Sequence, residues 1–230
     1  MKLLCTICVR SGSKGLPNKN LRMISGKPLF VHTIIQAMES KVFNNIVVST
    51  DSKKIQSLAI KNGVNSWFLR PKKLSYDNSS KVDAIRHALL MAEKKFLENY
   101  DIICDLDVTS PLRRVSDINK AINQFKKSKS ENLVSACISR KNPYFNMIEK
   151  IKNQYKVVKK PSKSEFIRRQ DAPEVYDMNA SIYLWKRKSL LKKIKLINSR
   201  TSVYLMPQNR SIDIDNIHDL NYVKYLIKNK

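Results

Sequence analysis

Short apolar, β-branched runs alternate with longer segments of helical period along most of this chain. That alternation restricts the folds open to it more than any other feature. Leu3 to Val9 is a continuous apolar run, and Ile46 to Thr50, Val64 to Leu69, Asp101 to Leu106 and Leu133 to Ile138 have similar character. Between them lie helical patterns. Pro28 to Glu39 has proline in its first turn, where the missing N–H costs nothing. Asp51 or Ser52 caps a helix to about Asn62. Ser80 caps another, with Asp83 three residues on and apolar Val82, Ile85, Leu89, Ala92 and Phe96 on one stripe. Ser116 caps a helix that turns Ile118, Ala121, Ile122 and Phe125 inward, and Ile217 to Lys228 closes the chain as a helix. Ser181 to Trp185 and Val203 to Met206 return to strand character, while 142–176 breaks the alternation as an excursion of hairpins and loops. Uninterrupted apolar strands between helices imply an α/β fold: a mostly parallel sheet covered on both faces.

In such a sheet, ligands bind outside the carboxyl ends of the strands. Four strand ends therefore matter: RSGSKG after Val9, STD at Ser49, LRP at Leu69, and DVTSPLRR from Asp107. The first loop holds Gly12 and Gly15, two of only four glycines in the chain, among Arg10, Lys14 and Lys19. Glycines let backbone amides approach an anion, and the cations supply charge. It is neither a Walker A loop nor a dinucleotide fingerprint, so its pattern leaves a phosphate cradle and a solvated turn both open. Arg70, Thr109, Ser110 and Arg113 offer hydroxyls and guanidinium at the other ends, with a solvated loop ahead of the Ser116 cap as the plain reading of Arg113 and Arg114.

Asp213 and Asp215, in SIDID, are two apart in an extended stretch and so share a side. Mg²⁺ shared with phosphates suits such a pair, because it takes one or two carboxylates plus substrate oxygens. Helix capping ahead of Ile217 is the alternative, and it fits Asp215 better than Asp213. A basic loop with a carboxylate pair suggests phosphoryl or nucleotidyl transfer by positioning and charge neutralisation.

Composition removes other classes. The net charge of +25 raises a nucleic-acid partner. The lysines, however, are spread over nearly every helix, and no RNA-binding aromatic signature or arginine-rich arm accompanies them. A small anionic substrate is the better account, and nothing approaches a membrane span in length. Cys5 and Cys8, three apart in one strand, point to opposite faces, and no second pair stands at zinc spacing. Free thiols, and an apolar N-terminal run too short for a secretory signal, fit a cytoplasmic protein. His32, His87 and His218 fall on helices away from the strand ends.

The ordered motifs VRSGSKGLPNKN, GKPL, VVSTD, LRP, TSPLR, RRQDAP and SIDID, running from Ile7 to the closing helix, resemble those of the acylneuraminate (CMP-sialic acid type) cytidylyltransferases. The resemblance implies a Rossmann-like nucleotidyltransferase fold over 1–230, working as a homodimer, with 142–176 as a small dimerisation excursion that reaches the partner's sugar site. It implies that CTP and a nine-carbon 2-keto (nonulosonic) sugar acid give a CMP-sugar and pyrophosphate, with Mg²⁺ as cofactor, for surface glycan synthesis. By position, Arg10, Gly12, Ser13, Lys14, Lys19 and Asn20 would hold the triphosphate, and Arg70, Ser79 and Ser80 the cytosine side. Asp213 and Asp215 would bind metal, with Arg10, Lys19 and Asp213 serving catalysis. Asp107, Thr109, Ser110, Arg169, Gln170 and Asn179 would meet the sugar.

Three positions depart from the family pattern. Asp107 replaces a glutamine, Ala180 a glycine after Asn179, and Asp177 an arginine suited to a substrate carboxylate. With Asp105 two residues earlier on the same strand face, an approach of Asp107 to a metal is the other reading. These departures bear on the sugar and the base. An octulosonate-like sugar or another nucleotide is the enzymatic alternative, and a basic nucleic-acid-binding protein is the non-enzymatic one.

Overall fold

The computed structural model describes residues 1–13, 15–160, 166–192 and 195–229. Its elements follow in order: β1 (Leu3–Val9), β2 (Met23–Ile24), β3 (Lys27–Pro28), α1 (Leu29–Ser40), β4 (Asn45–Thr50), α2 (Lys53–Lys61), α3 (Lys81–Phe96) and β5 (Ile102–Leu106). Then come α4 (Val115–Lys127), β6 (Asn132–Ile138), β7 (Ile148–Ile151), β8 (Gln154–Val157), β9 (Tyr176–Lys186), α5 (Arg187–Leu191), β10 (Thr201–Leu205) and α6 (Ile217–Lys228).

A six-stranded sheet ordered β10-β6-β9-β5-β1-β4 forms the centre. All its pairings are parallel except those of β9, which runs antiparallel between β5 and β6. Both faces are covered. Alternate β1 residues Leu3, Cys5, Ile7 and Val9 pack with Phe30 and Ile34 of α1 and Ile118 and Phe125 of α4. Leu4 faces the other way, with Ile85, Leu89 and Ala92 of α3 and with Trp185. Cys5 and Cys8 accordingly lie on opposite faces, and the described cysteines are free. No helix among the described residues is long and apolar enough to cross a membrane.

Several local readings shift. Val64 to Leu69 forms no strand of its own; it meets β4 through isolated bridges at Asn65 and Leu69 and through the Ser66 hydroxyl, which donates to the Val48 carbonyl at 3.0 Å. The cause is length, since the chain needs only to bring Arg70 to the edge of β4, where its N–H donates to the Thr50 carbonyl at 2.7 Å. Helix α4 begins at Val115 rather than after Ser116, because Asp117 accepts the Arg114 N–H at 2.9 Å and closes its first turn. Ser52 and Ser80 cap α2 and α3 as the sequence predicts.

Strand β9 starts five residues earlier than the Ser181 start read from hydrophobicity, at Tyr176. Its first three residues are exposed, and Asp177 and Asn179 interrupt Tyr176, Met178 and Ala180, so no continuous apolar run marks it. The strand carries an irregularity where β6 slips register between Val134 and Ala136. There Ala180 adopts φ 51°, the left-handed region that disfavours a Cβ. This is the position at which the family motif has glycine, and the backbone has kept the glycine-like conformation. Ala180→Gly is therefore expected to raise stability by about 0.5–1 kcal/mol, read by chemical denaturation. A loss of stability would mean that the strain is absorbed elsewhere.

Candidate active site

The loops after β1, β4 and β5 and the segment after β10 meet at one end of the sheet. They enclose a cavity of about 330 Å³ lined by Arg10, Gly12, Ser13, Lys19, Asn20, Arg70, Ser79, Ser80, Asp107, Thr109, Asp213 and Asp215, among others. Lys14 lies outside the described residues. Residues as far apart in the chain as Arg10 and Asp215 thus share one wall, because parallel strands deliver all their carboxyl ends to the same edge.

Asp51, at the end of β4, holds the first loop. Its carboxylate accepts the Ser11 N–H at 2.8 Å and the Ser11 hydroxyl at 2.7 Å. Asn20 donates to the Arg10 carbonyl at 2.9 Å. Arg10 itself pairs with Asp77 at 2.5 Å, so an arriving phosphate would exchange with that carboxylate. Lys19 donates to the Ile214 carbonyl at 2.5 Å and sits 3.2 Å from Asp215. It thereby ties the basic loop to the carboxylate segment.

The two glycines differ. A Cβ on Gly15 would fall far inside contact distance of the Asp215 carbonyl oxygen, whereas one on Gly12 would meet nothing. Close packing against the 213–215 segment, rather than a ligand, is what demands glycine at 15. Gly12 lines the open cavity, where a ligand is free to approach its backbone.

Asp213 fits a metal or proton role. Its Oδ1 is buried without a hydrogen-bond partner among the described residues. Burial, with Asp107 and Asp215 nearby, pushes its carboxyl up to about 6 despite the Lys19 charge. The described residues hold no group of three or more potential His, Cys, Asp or Glu ligands. A carboxylate pair that leaves most positions to substrate oxygens is the arrangement Mg²⁺ accepts.

The structure alters the reading of the β5 end. Asp105 and Asp107 do meet, but across an ammonium rather than a metal: Lys81 lies 3.1 Å from Asp105 and 2.5 Å from Asp107. Burial alone would raise the Asp107 carboxyl, but the Lys81 charge and the Thr109 hydrogen bonds outweigh it and hold it at about 2. Asp105, fully buried, is pushed up by desolvation, against the pull of Lys81. No sequence pattern marked Lys81, since it stands 26 residues from Asp107. Its one signal was a cation directly after a helix cap.

Arg113 is not in a solvated loop. It is 2% exposed and donates to the Ser181 carbonyl at 2.6 Å and to Gln36 at 2.9 Å. It braces α1 against β9 rather than facing a ligand. Ser110 and Asn179 are likewise buried outside the cavity lining. Ser110 donates to the Asn179 carbonyl at 3.2 Å, and the Asn179 amide takes the Ser135 hydroxyl at 2.6 Å and donates to Ser211 at 2.9 Å. Asn179 therefore holds the start of the carboxylate segment in place. Arg169 donates to the Ser139 carbonyl at 2.9 Å, and neither it nor Gln170 lines the cavity. Asp177 lies in the exposed part of β9.

Arg70 is buried at the cavity wall, its Nε donating to Ser75 at 3.1 Å. Ser79 donates to the Lys73 carbonyl at 2.9 Å, which folds the 75–80 loop over the cavity.

Known proteins match this chain along its whole length. A family model described as cytidylyltransferase covers residues 4–230. A CMP-N,N'-diacetyllegionaminic acid synthase from Campylobacter jejuni is 43% identical over 229 residues, spanning 100% of this chain and 96% of the relative. A pseudaminic acid cytidylyltransferase from the same species is 33% identical over 233 residues, spanning 99% and 97%. Among solved structures, a CMP:2-keto-3-deoxy-manno-octonic acid synthetase complexed with CTP superposes with a TM-score of 0.71 at 17% identity, covering 100% of this chain and 99% of that one. That likeness extends to the fold. With the family match running from the first strand to the last helix, the chain belongs to the cytidylyltransferase family.

Proposed function

We propose that the protein transfers CMP from CTP to a nonulosonic 2-keto sugar acid and releases pyrophosphate. The observation that carries this is the single cavity in which the basic loop, Arg70, Ser79, Ser80 and the Asp213/Asp215 pair converge. Relatives at 43% and 33% identity are named for the CMP derivatives of such acids, which supports that substrate class.

In this reading Arg10, Ser13, Lys19 and Asn20 bind the triphosphate, with Gly12 offering its backbone. Arg70, Ser79 and Ser80 take the cytidine side. The sugar's anomeric oxygen bonds to the α-phosphorus, and the bond from that phosphorus to the bridging oxygen breaks to free pyrophosphate. Asp213, a carboxylate at the cavity wall, would accept the hydroxyl proton. Arg10 and Lys19 neutralise charge that builds on the phosphates. Asp213 and Asp215 would hold Mg²⁺, which supplies further neutralisation of the phosphate oxygens when bound.

The protein is further read as one nucleotidyltransferase domain acting as a homodimer. The β7–β8 hairpin supports this, since it presents Ile148, Ile151 and Tyr155 to solvent, a costly display on a monomer.

Pyrophosphate release from CTP with Mg²⁺ and a panel of neuraminic, legionaminic, pseudaminic and octulosonic acids tests the function. Turnover of at least one nonulosonic acid is expected. Turnover of the octulosonic acid alone would move the substrate class, and no turnover with any acid would refute the assignment.

A further inference from the structure

Lys81 is the first residue of α3, and it reaches the cavity that the strand-end loops build. Its ammonium lies 2.5 Å from Asp107 Oδ2, 3.1 Å from Asp105 Oδ2 and 4.6 Å from the Tyr183 ring centroid. Asp105 has no exposure and is steadied by the Thr6 hydroxyl at 2.8 Å. It is an anchor that substrate cannot touch.

Asp107 is different, because 18% of its side chain is open and it lines the cavity. Its Oδ1 accepts the Thr109 N–H at 3.0 Å and the Thr109 hydroxyl at 2.9 Å. Its Oδ2 accepts Lys81 at 2.5 Å. A carboxylate has about four acceptor sites, so these three bonds fix its plane and leave one site free. Asp107 has no proton to give. A phosphate oxygen would be repelled there, the Lys81 ammonium already occupies the place a cation would take, and an O–H or N–H donor is welcomed.

The donor's owner follows from the neighbours. Thr109, which fixes Asp107, also takes the Ile214 N–H on its backbone carbonyl at 2.9 Å, and so lines the cavity beside Asp213 on the reacting side. A donor beside that carboxylate belongs to the acceptor substrate rather than to the triphosphate.

We propose that Lys81 is a positioning residue that fixes Asp107 as an acceptor for a hydroxyl or amide N–H of the sugar acid. The proposal rests on the cytidylyltransfer reading above. Without Lys81, two carboxylates would face each other beside Asp213, and Asp107 would swing or take up a proton, becoming a donor instead.

Steady-state kinetics on the full chain test it, using CTP and a sugar acid that the wild type turns over. Lys81→Met is expected to raise KM for the sugar acid about tenfold or more and to leave KM for CTP within about twofold. Asp107→Asn should do the same. The double variant should be no worse than the weaker single, because one residue acts through the other. If Lys81→Met does not fold, Lys81→Gln with Asp105→Asn removes one charge of each sign and should show the same split. An unchanged sugar KM, an equal rise in KM for CTP (pointing to the base), or losses that multiply in the double variant would overturn the proposal while leaving the functional reading intact. Failure of the wild type with every acid would bring down both.

Discussion

Asp213→Asn is expected to abolish turnover while making the free protein more stable at neutral pH. The two effects have one cause. The carboxyl is buried near Asp107 and Asp215, and its affinity for a proton is raised to about 6. An unfolded aspartate titrates near 3.9. At pH below about 4 the group is protonated in both states and costs the fold nothing. Between about pH 4 and 6 the unfolded chain has lost this proton while the folded protein keeps it, so stability falls with pH and the loss, up to about 3 kcal/mol, is complete once pH has risen through 6. Asparagine keeps the shape without the charge, so the variant should exceed the wild type above pH 6 and match it at pH 4. Denaturant titration without divalent cations at both pH values measures this. Turnover should fall about a thousandfold or more, because a group that takes the proton and holds positive charge has gone. Retained turnover would remove Asp213 from the chemistry. A stability gain that persisted at pH 4 would show that its charge is not the cost.

Gly15→Ala should disable the enzyme by a different route. The added methyl would overlap the Asp215 backbone carbonyl, and neither partner is a side chain that can rotate away. The loop must lift from the 213–215 segment, which stretches the Lys19 bonds to Ile214 and Asp215. Reacting groups displaced by about an ångström cost on the order of a hundredfold in rate, and that is the expected loss in kcat/KM. The stability loss should stay near 1–3 kcal/mol, typical of overpacking at one site. Gly12→Ala is the control. Its methyl meets open space, so stability should hold, and any loss of activity reports ligand crowding alone. Equal activity of Gly15→Ala and wild type would show that loop and segment need not touch.

Much of this molecule was readable before its structure. Strand β1 spans Leu3–Val9 as hydrophobicity predicts, and α6 spans Ile217–Lys228. Ser52 and Ser80 were visible as caps because a cap is a contact between residues three apart. The exposed start of β9 was not read as strand, although Tyr176, Met178 and Ala180 alternate with Asp177 and Asn179, because five residues directly after a Pro-rich, basic stretch do not stand out as a strand until β6 pairs with them. Its antiparallel placement was not visible either, because β9 pairs with β5 and β6, far away in the chain. Within the site, the basic loop and the carboxylate pair could be named from residue type. That Arg113 is buried could not, because arginine reads as solvated until its partners Ser181 and Gln36 are brought to it.

The sequence by itself determined the alternation of strands and helices, the caps, and which strand ends carry the basic loop and the polar side chains. These follow from contacts within a few residues, which periodicity and residue type encode directly. Only the tertiary structure decided which charges meet. Lys81 joined to Asp105 and Asp107, Arg10 to Asp77, Lys19 to Asp215, and Gly15 pressed against Asp215 are all products of topology. Charge interactions act through space and not along the chain, so their partners are set only once the parallel strands have delivered their ends to one edge of the sheet.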